Sequence, residues 1–224
     1  MAKLPLVLLL PPSEGKAGGG DASKPWSSTS GTHGKALATQ RQKVANAFAK
    51  HHERVIGSAT LPAFERYTGV VWKFMDLNSL TPAKRRDALK KIHVVSGLVG
   101  LVRADDPIPN YKLKMSARIE PLGNLTSFWR PALTEQVSQL AAKHLIIDLL
   151  PNEHRAAIAW EQIPNHVRVD LVAKDGGRVG GHNAKAAKGL LARHLLTSSL
   201  DAKDAVRAFR HPEYKAKLTL GGER

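Results

Sequence analysis

Ser13-Glu14-Gly15-Lys16 stands directly after an apolar run, Lys3 to Leu10, that Pro11-Pro12 ends. A lysine beside a glycine can hold a phosphate: the ammonium meets the charge and the bare backbone lets the anion approach. Its place fits that use, because ligand sites in α/β sheets lie beyond strand carboxyl ends. The full GxxxxGK[ST] pattern is absent, which argues against nucleoside-triphosphate hydrolysis of that type. A second exit of the same kind follows Leu145-Ile146-Ile147-Asp148-Leu149-Leu150, where Pro151 leads into Asn152-Glu153-His154-Arg155. Glu14 and Glu153 make an acid/base pair only if the two exits meet in space. His154 beside Glu153 is a candidate general base, although a lone histidine at a strand end is more often a hydrogen-bonded structural residue. No GxSxG elbow accompanies the serines and histidines. Cysteine is absent, so thiolate nucleophiles, disulfides and Cys-ligated metal are excluded. His51-His52-Glu53 offers no chelate if it is helical, since adjacent residues on a helix point about 100° apart. No metal and no cofactor is expected.

Three further clusters carry chemistry. Arg66-Tyr67-Thr68-Gly69 sets two hydroxyls beside a glycine, the pattern of a packed turn or of a site. Val94 to Met115 gathers Ser96, Gly97, Gly100, Arg103, Asp105, Asp106, Pro107 and Pro109, then leaves through Tyr111-Lys112-Leu113-Lys114-Met115. Apolar and basic residues alternate there at the period of a half-buried strand. The third cluster lies on a helix expected over 183–197. At 100° per residue, Lys185, Lys188, Gly189 and Arg193 share an arc of roughly 140°, with Leu190, Leu191 and Leu195 mostly opposite. Three cations on one helix face are commonly solvation, but the bare Gly189 favours phosphate contact.

The elements that must position these residues follow from patterning. The apolar run from Lys3 and the run 145–150 read as strands buried on both faces, and Val167-Arg168-Val169-Asp170-Leu171 as a third, alternating strand. Helices are expected over 36–56, from Thr81-Pro82 through Lys91, over 132–143 and over 183–197, with a short helix and an edge strand beyond Asp201. Residues 17–34, rich in Gly, Ser and Thr, read as a mobile loop of the kind that can act as a lid. The length of 224 residues fits one domain better than two. The apolar start is too short to span a bilayer and lacks a cleavage site, so a cytoplasmic protein without membrane contact is expected. With 34 Lys+Arg against 19 Asp+Glu, the net charge of +15 attracts polyanions, nucleic acid foremost.

Taken in order, Leu10-Pro11-Pro12-Ser13-Glu14-Gly15-Lys16, Arg66-Tyr67-Thr68-Gly69, Ser96-Gly97-Leu98 with Gly100 and Arg103, Tyr111-Lys112-Leu113, Phe128-Trp129 and Lys185 to Arg193 resemble the YaaA (peroxide stress) proteins. The resemblance covers nearly the whole chain. It implies an α+β fold, a single domain with a mixed central sheet flanked by helices, and a basic groove that binds duplex or branched DNA without reading sequence. It also implies a cytoplasmic role in limiting iron-promoted oxidative damage to DNA. Carried over by position, the groove residues are Lys16, Tyr67, Thr68, Arg103, Tyr111, Lys112, Lys185, Lys188 and Arg193. Family members commonly carry a helix-hairpin-helix element before the Tyr-Thr-Gly motif, for which 36–61 is short here. They also commonly have Tyr where this chain has His154. A monomer is expected. The alternative reading is an enzyme acting on a small phosphorylated or nucleotide-like ligand at the rim formed by the strand ends.

Overall fold

The strand β1 (Leu6–Leu10) is apolar at every position, and in the computed structural model it lies inside the sheet, with Leu8, Leu9 and Leu10 fully enclosed. The structure describes residues 4–177 and 179–220, so Lys3, where the apolar run begins, lies outside the described residues. In chain order β1 is followed by helix α1 (Gly34–Phe48), a two-residue strand β2 (Leu61–Pro62), and helices α2 (Ala63–Arg66), α3 (Val70–Met75) and α4 (Pro82–Lys91). Then come β3 (Ile92–Ser96), β4 (Gly100–Arg103), the short β5 (Pro107–Ile108), β6 (Arg118–Ile119) and β7 (Gly123–Asn124), and helix α5 (Leu125–Ala141). The last part is β8 (Leu145–Asp148), α6 (Asn152–Arg155), β9 (His166–Ala173), α7 (Gly181–Thr197), α8 (Ala202–Ala208) and β10 (Tyr214–Leu220).

The six-stranded sheet has the order β10-β9-β8-β1-β3-β4. Its four inner strands are parallel: β1 pairs with β3 on one side and β8 on the other, and β8 pairs with β9. Both edges are antiparallel. The result is a single α+β domain with a mixed central sheet. Because the inner strands run the same way, the exits of β1, β3 and β8 reach one border of the sheet, with β1 between the other two. Crevices outside strand carboxyl ends of this kind are where open α/β sheets hold ligands.

Helices cover the apolar sheet. α4 and α7 pack on each other, α4 against β1 and β3 and α7 against β9 and β10; α5 packs on β4, β8 and α1. α3 lies along α7. That seam depends on Gly189: a Cβ there would sit 2.4 Å from the Val71 carbonyl oxygen and 2.9 Å from Phe74 Cβ. Gly100 is needed for another reason. It turns β3 into β4 at φ +67°, and a Cβ would meet the Trp129 ring at 2.6 Å. Trp129 is fully buried and its indole N–H donates to the Gly97 carbonyl at 2.8 Å.

Four sequence expectations need correction. The helix expected over 36–56 is α1 and ends at Phe48, so His51-His52-Glu53 lies in the turn beyond it. The polar run 50–54 has no apolar face to bury, and the chain turns back into the core only at Val55. Residues 111–115 keep the alternation, with Tyr111 and Met115 buried and Lys112 and Lys114 exposed, but pair with no strand. The helix expected over 132–143 begins earlier, at Leu125, where the Asn124 side chain accepts the Ser127 N–H, and carries Pro131 inside it. On α7 Leu191 and Leu195 are buried as expected, but Gly189 in the cationic arc is buried as well, against α3, and Leu190 is exposed.

Residues 17–33 form neither helix nor named strand before α1 begins at Gly34, yet they are tied down at several points. Trp26 is buried and its backbone bonds to Ser58 and Gly57; the Arg41 guanidinium donates to the carbonyls of Ser28, Ser30, Val99 and Leu101.

Candidate functional site

The exit of β1 is sewn to the Tyr-Thr-Gly segment. Ser13 accepts the Gly69 N–H at 2.9 Å and its hydroxyl donates to the Gly15 carbonyl. Thr68 N–H donates to Gly15 O at 3.1 Å and Ala17 N–H to Arg66 O at 2.8 Å. This strap fixes Lys16. Its ammonium donates to Ser13 O at 2.8 Å and lies 4.4 Å from the Tyr111 ring centre and 5.6 Å from that of Tyr67. Cation–π attraction therefore holds the amine between two aromatic faces. Burial lowers the Lys16 pKa to about 8, against the opposing pull of Glu14 and with a smaller push from Arg66. The tyrosines join through their hydroxyls, 3.0 Å apart, and Tyr111 bonds on to Ser96 Oγ at 2.5 Å. Burial raises both phenols, Tyr67 far more, so both remain protonated at neutral pH.

Sequence reading therefore pointed to residues that the fold brings together: Lys16, Tyr67 and Tyr111, with the exposed Thr68 at their edge. It noted Ser96 only as a small residue. Its role as the end of the tyrosine chain depends on β3 lying beside β1, which no local pattern encodes. Beyond the Tyr111 ring opens a cavity of about 400 Å³, bordered by Lys112, Asn110, His52, Glu53 and Arg54. Phe48 and His52 stack there, 4.3 Å between ring centres.

The two carboxylate candidates do come near a common residue. Lys114 Nζ lies 3.4 Å from Glu14 Oε1, and the same ammonium acts on Glu153. Glu153 Oε1 accepts the Ser116 N–H at 3.0 Å and its hydroxyl at 2.9 Å. Burial tends to raise the Glu153 carboxyl, but the two Ser116 bonds, with His154 and Lys114, outweigh it and hold the pKa below the ordinary value. Glu153 is thus ionised at neutral pH and cannot serve there as a proton donor. His154 is buried, which lowers its pKa and keeps it neutral, while Glu153 and Lys188 pull in opposite directions. Its Nδ1 has no hydrogen-bond partner among the described residues. Lys114 was legible only as one of the alternating basic residues and Ser116 not at all, because their partners lie far along the chain.

The remaining cations are distributed differently. Arg103 pairs in register with His93, at the other end of β3 from Ser96, and its guanidinium grips Asp105 through two bonds. Its backbone N–H is held by Asp106, which also takes the Thr32 N–H and hydroxyl. On α7, Lys188 donates to Leu149 O at the β8 exit at 2.8 Å, and burial lowers its pKa. Arg193 donates to the Met75 and Asp76 carbonyls, closing the end of α3. Lys185 is exposed and has no ion pair among the described residues. No group of three metal-ligating side chains occurs among the described residues.

A family model described as "Peroxide stress protein YaaA" matches residues 8–219. The chain belongs to this family. The match takes in the β1 exit, the Tyr-Thr-Gly turn and α7. A UPF0246 protein of Streptomyces coelicolor is 30% identical over 220 residues, covering 86% of this chain and 84% of its own length. UPF0246 proteins of Corynebacterium efficiens and of Shewanella sp. strain MR-4 are 35% and 32% identical, over 65% and 64% of this chain and 59% of each relative. The YaaA family name ties the chain to peroxide stress. No helix among the described residues is long and apolar enough to cross a membrane.

Proposed function

We propose that this YaaA-family chain acts in the peroxide stress response, in the cytoplasm, as a nucleic-acid-binding protein that grips backbone phosphates without reading sequence. The observation that carries this reading is uncompensated charge: 34 Lys+Arg face 19 Asp+Glu, so at least fifteen cations have no acidic counterpart. Several of them support the reading by their exposure or position: Lys112 and Arg54 border the open cavity, Lys16 lies with Thr68 at the β1 exit, and Lys185 is exposed on α7. Arg103, Lys188 and Arg193, already bonded within the protein, add to the field more than to the contacts. Protection of DNA against iron-promoted damage follows from occupancy of the backbone.

Fluorescence anisotropy of a duplex and a four-way junction tests this reading. Neutralising about four phosphates should cost roughly a hundredfold in affinity between about 50 and 200 mM salt. Undetectable binding at the lower salt, or affinity indifferent to salt, contradicts it.

A second reading has its own support. Lys16 over Tyr111, whose hydroxyl links Tyr67 to Ser96 at the strand exits, with Glu153 and His154 at the neighbouring exit, suits an enzyme handling a small phosphorylated ligand. It requires thermal stabilisation by a nucleotide that Lys16→Gln abolishes, and none by oligonucleotides.

A further inference from the structure

The β10 edge of the sheet carries a second cavity, of about 360 Å³, that none of the residues discussed so far enters. Four cations line it, Lys174, Arg207, Arg210 and Lys215, and no carboxylate among the described residues does. Where the described residues form nine ion pairs, a recess walled by four of their cations and by no acid among them is an unbalanced field. We propose that this cavity binds a nucleoside polyphosphate, with the phosphates on the cations and the nucleoside on the ring wall.

The cations differ in how they are held. Arg210 donates from Nη1 to the carbonyls of Arg207 and Phe209 at 2.7 and 3.1 Å, which fixes one terminal nitrogen of its guanidinium and leaves further N–H groups for an anion. Arg207 shares one N–H with Asp204 at 3.0 Å, and that pair is exposed and weak. Lys174 and Lys215 are exposed and have no ion pair among the described residues. They arrive from opposite sides of the β9–β10 pair: Tyr214 registers with Ala173 and Lys215 with Val172. The Lys174 N–H bonds to Glu213 O at 2.9 Å, so backbone pairing holds the two lysines at one end of the ladder.

His211 adds a further donor. The Glu213 N–H donates to His211 Nδ1 at 3.1 Å, so the uncharged ring carries its proton on Nε2. That ring stands between Phe209 and Tyr214, with centre distances of 6.3 and 5.2 Å. Together with Val206 and Ala216 they give the cavity an apolar part to its lining beside the cations. Apolar wall and cationic rim in one recess of this size is the arrangement a base with its phosphates requires. β10 lies three strands from β1, so the cavity is separate from the Lys16 site.

Equilibrium binding of ATP to the full chain, measured calorimetrically near physiological salt, tests the proposal. Saturable binding of ATP is expected, with adenosine at least tenfold weaker. The double variant Lys174→Ala/Lys215→Ala changes only exposed side chains and should weaken ATP at least tenfold, whereas Lys16→Gln should leave it unchanged. Three results overturn the proposal: no ATP binding, adenosine binding as tightly as ATP, or ATP binding that survives the double variant. The nucleic-acid reading stands or falls separately, because duplex binding is measured in its own titration and should persist in the Lys174→Ala/Lys215→Ala protein.

Discussion

Lys16 is the residue whose setting does most to distinguish this chain from a generic basic protein. Its amine is half-buried between two tyrosine rings, and burial draws its pKa to about 8. The consequence for stability has a definite sign. Between about pH 8 and the ordinary lysine value of 10.5 the unfolded chain holds a proton that the folded chain has released, so this group makes stability rise with pH across that window. Denaturation of the wild type and of Lys16→Met from pH 7.5 to 10.5 checks it. The wild type should gain on the variant as pH rises, and parallel curves would contradict the assignment. Tyr111→Phe tests the hydroxyl chain. It removes the bonds to Tyr67 and Ser96 within the core, and should cost about 1–3 kcal/mol while leaving the fold intact. At this scale the sequence was informative about what stands at an exit and silent about what closes over it. Lys16, Tyr67 and Tyr111 could be picked out by type and neighbours. Ser13 and Ser116 could not, because their roles arise from chain segments that meet only after folding.

Elements show the same division. Strands β1, β8 and β9 could be placed from hydrophobic patterning, since each expresses its burial in its own residues, and helix α4 from its Thr81-Pro82 start. Boundaries failed where the environment decides. Residues 111–115 alternate as a strand does, yet Gly97 packs against the Leu113 and Lys114 carbonyls and no partner strand is offered. On α7 the buried Leu191 and Leu195 were legible, but the use of Gly189 was not: a bare backbone among cations invites a ligand, and here another helix occupies it. Gly189→Ala should destabilise the protein by about 1–3 kcal/mol, measured by urea unfolding, because the added methyl meets a backbone carbonyl that cannot yield like a side chain. A neutral result would mean that the α3–α7 seam is looser than the geometry describes. Arg41 is the corresponding polar anchor. Fully buried and donating to four carbonyls from two segments, it should cost about 3 kcal/mol or more when replaced by Met, since the carbonyls would lose their donor.

For the whole molecule, the deciding quantity is charge and where it is left unbalanced. The sheet order brings the β1, β3 and β8 exits to one border, which the sequence hinted at only as several strands ending in polar residues. It does not gather every cation there: Arg103 lies toward the opposite end of β3, and Lys188 and Arg193 are engaged with backbone carbonyls. Phosphate contact should therefore fall mainly to cations without internal partners, of which Lys112 and Lys185 are the clearest among the described residues. The slope of log affinity against log salt for a duplex, compared between wild type and Lys112→Gln/Lys185→Gln, puts this to the most direct test. Loss of two phosphate contacts should make the slope shallower by about two and weaken binding similarly for unrelated sequences. An unchanged slope, or a loss confined to one sequence, would contradict backbone binding through these residues.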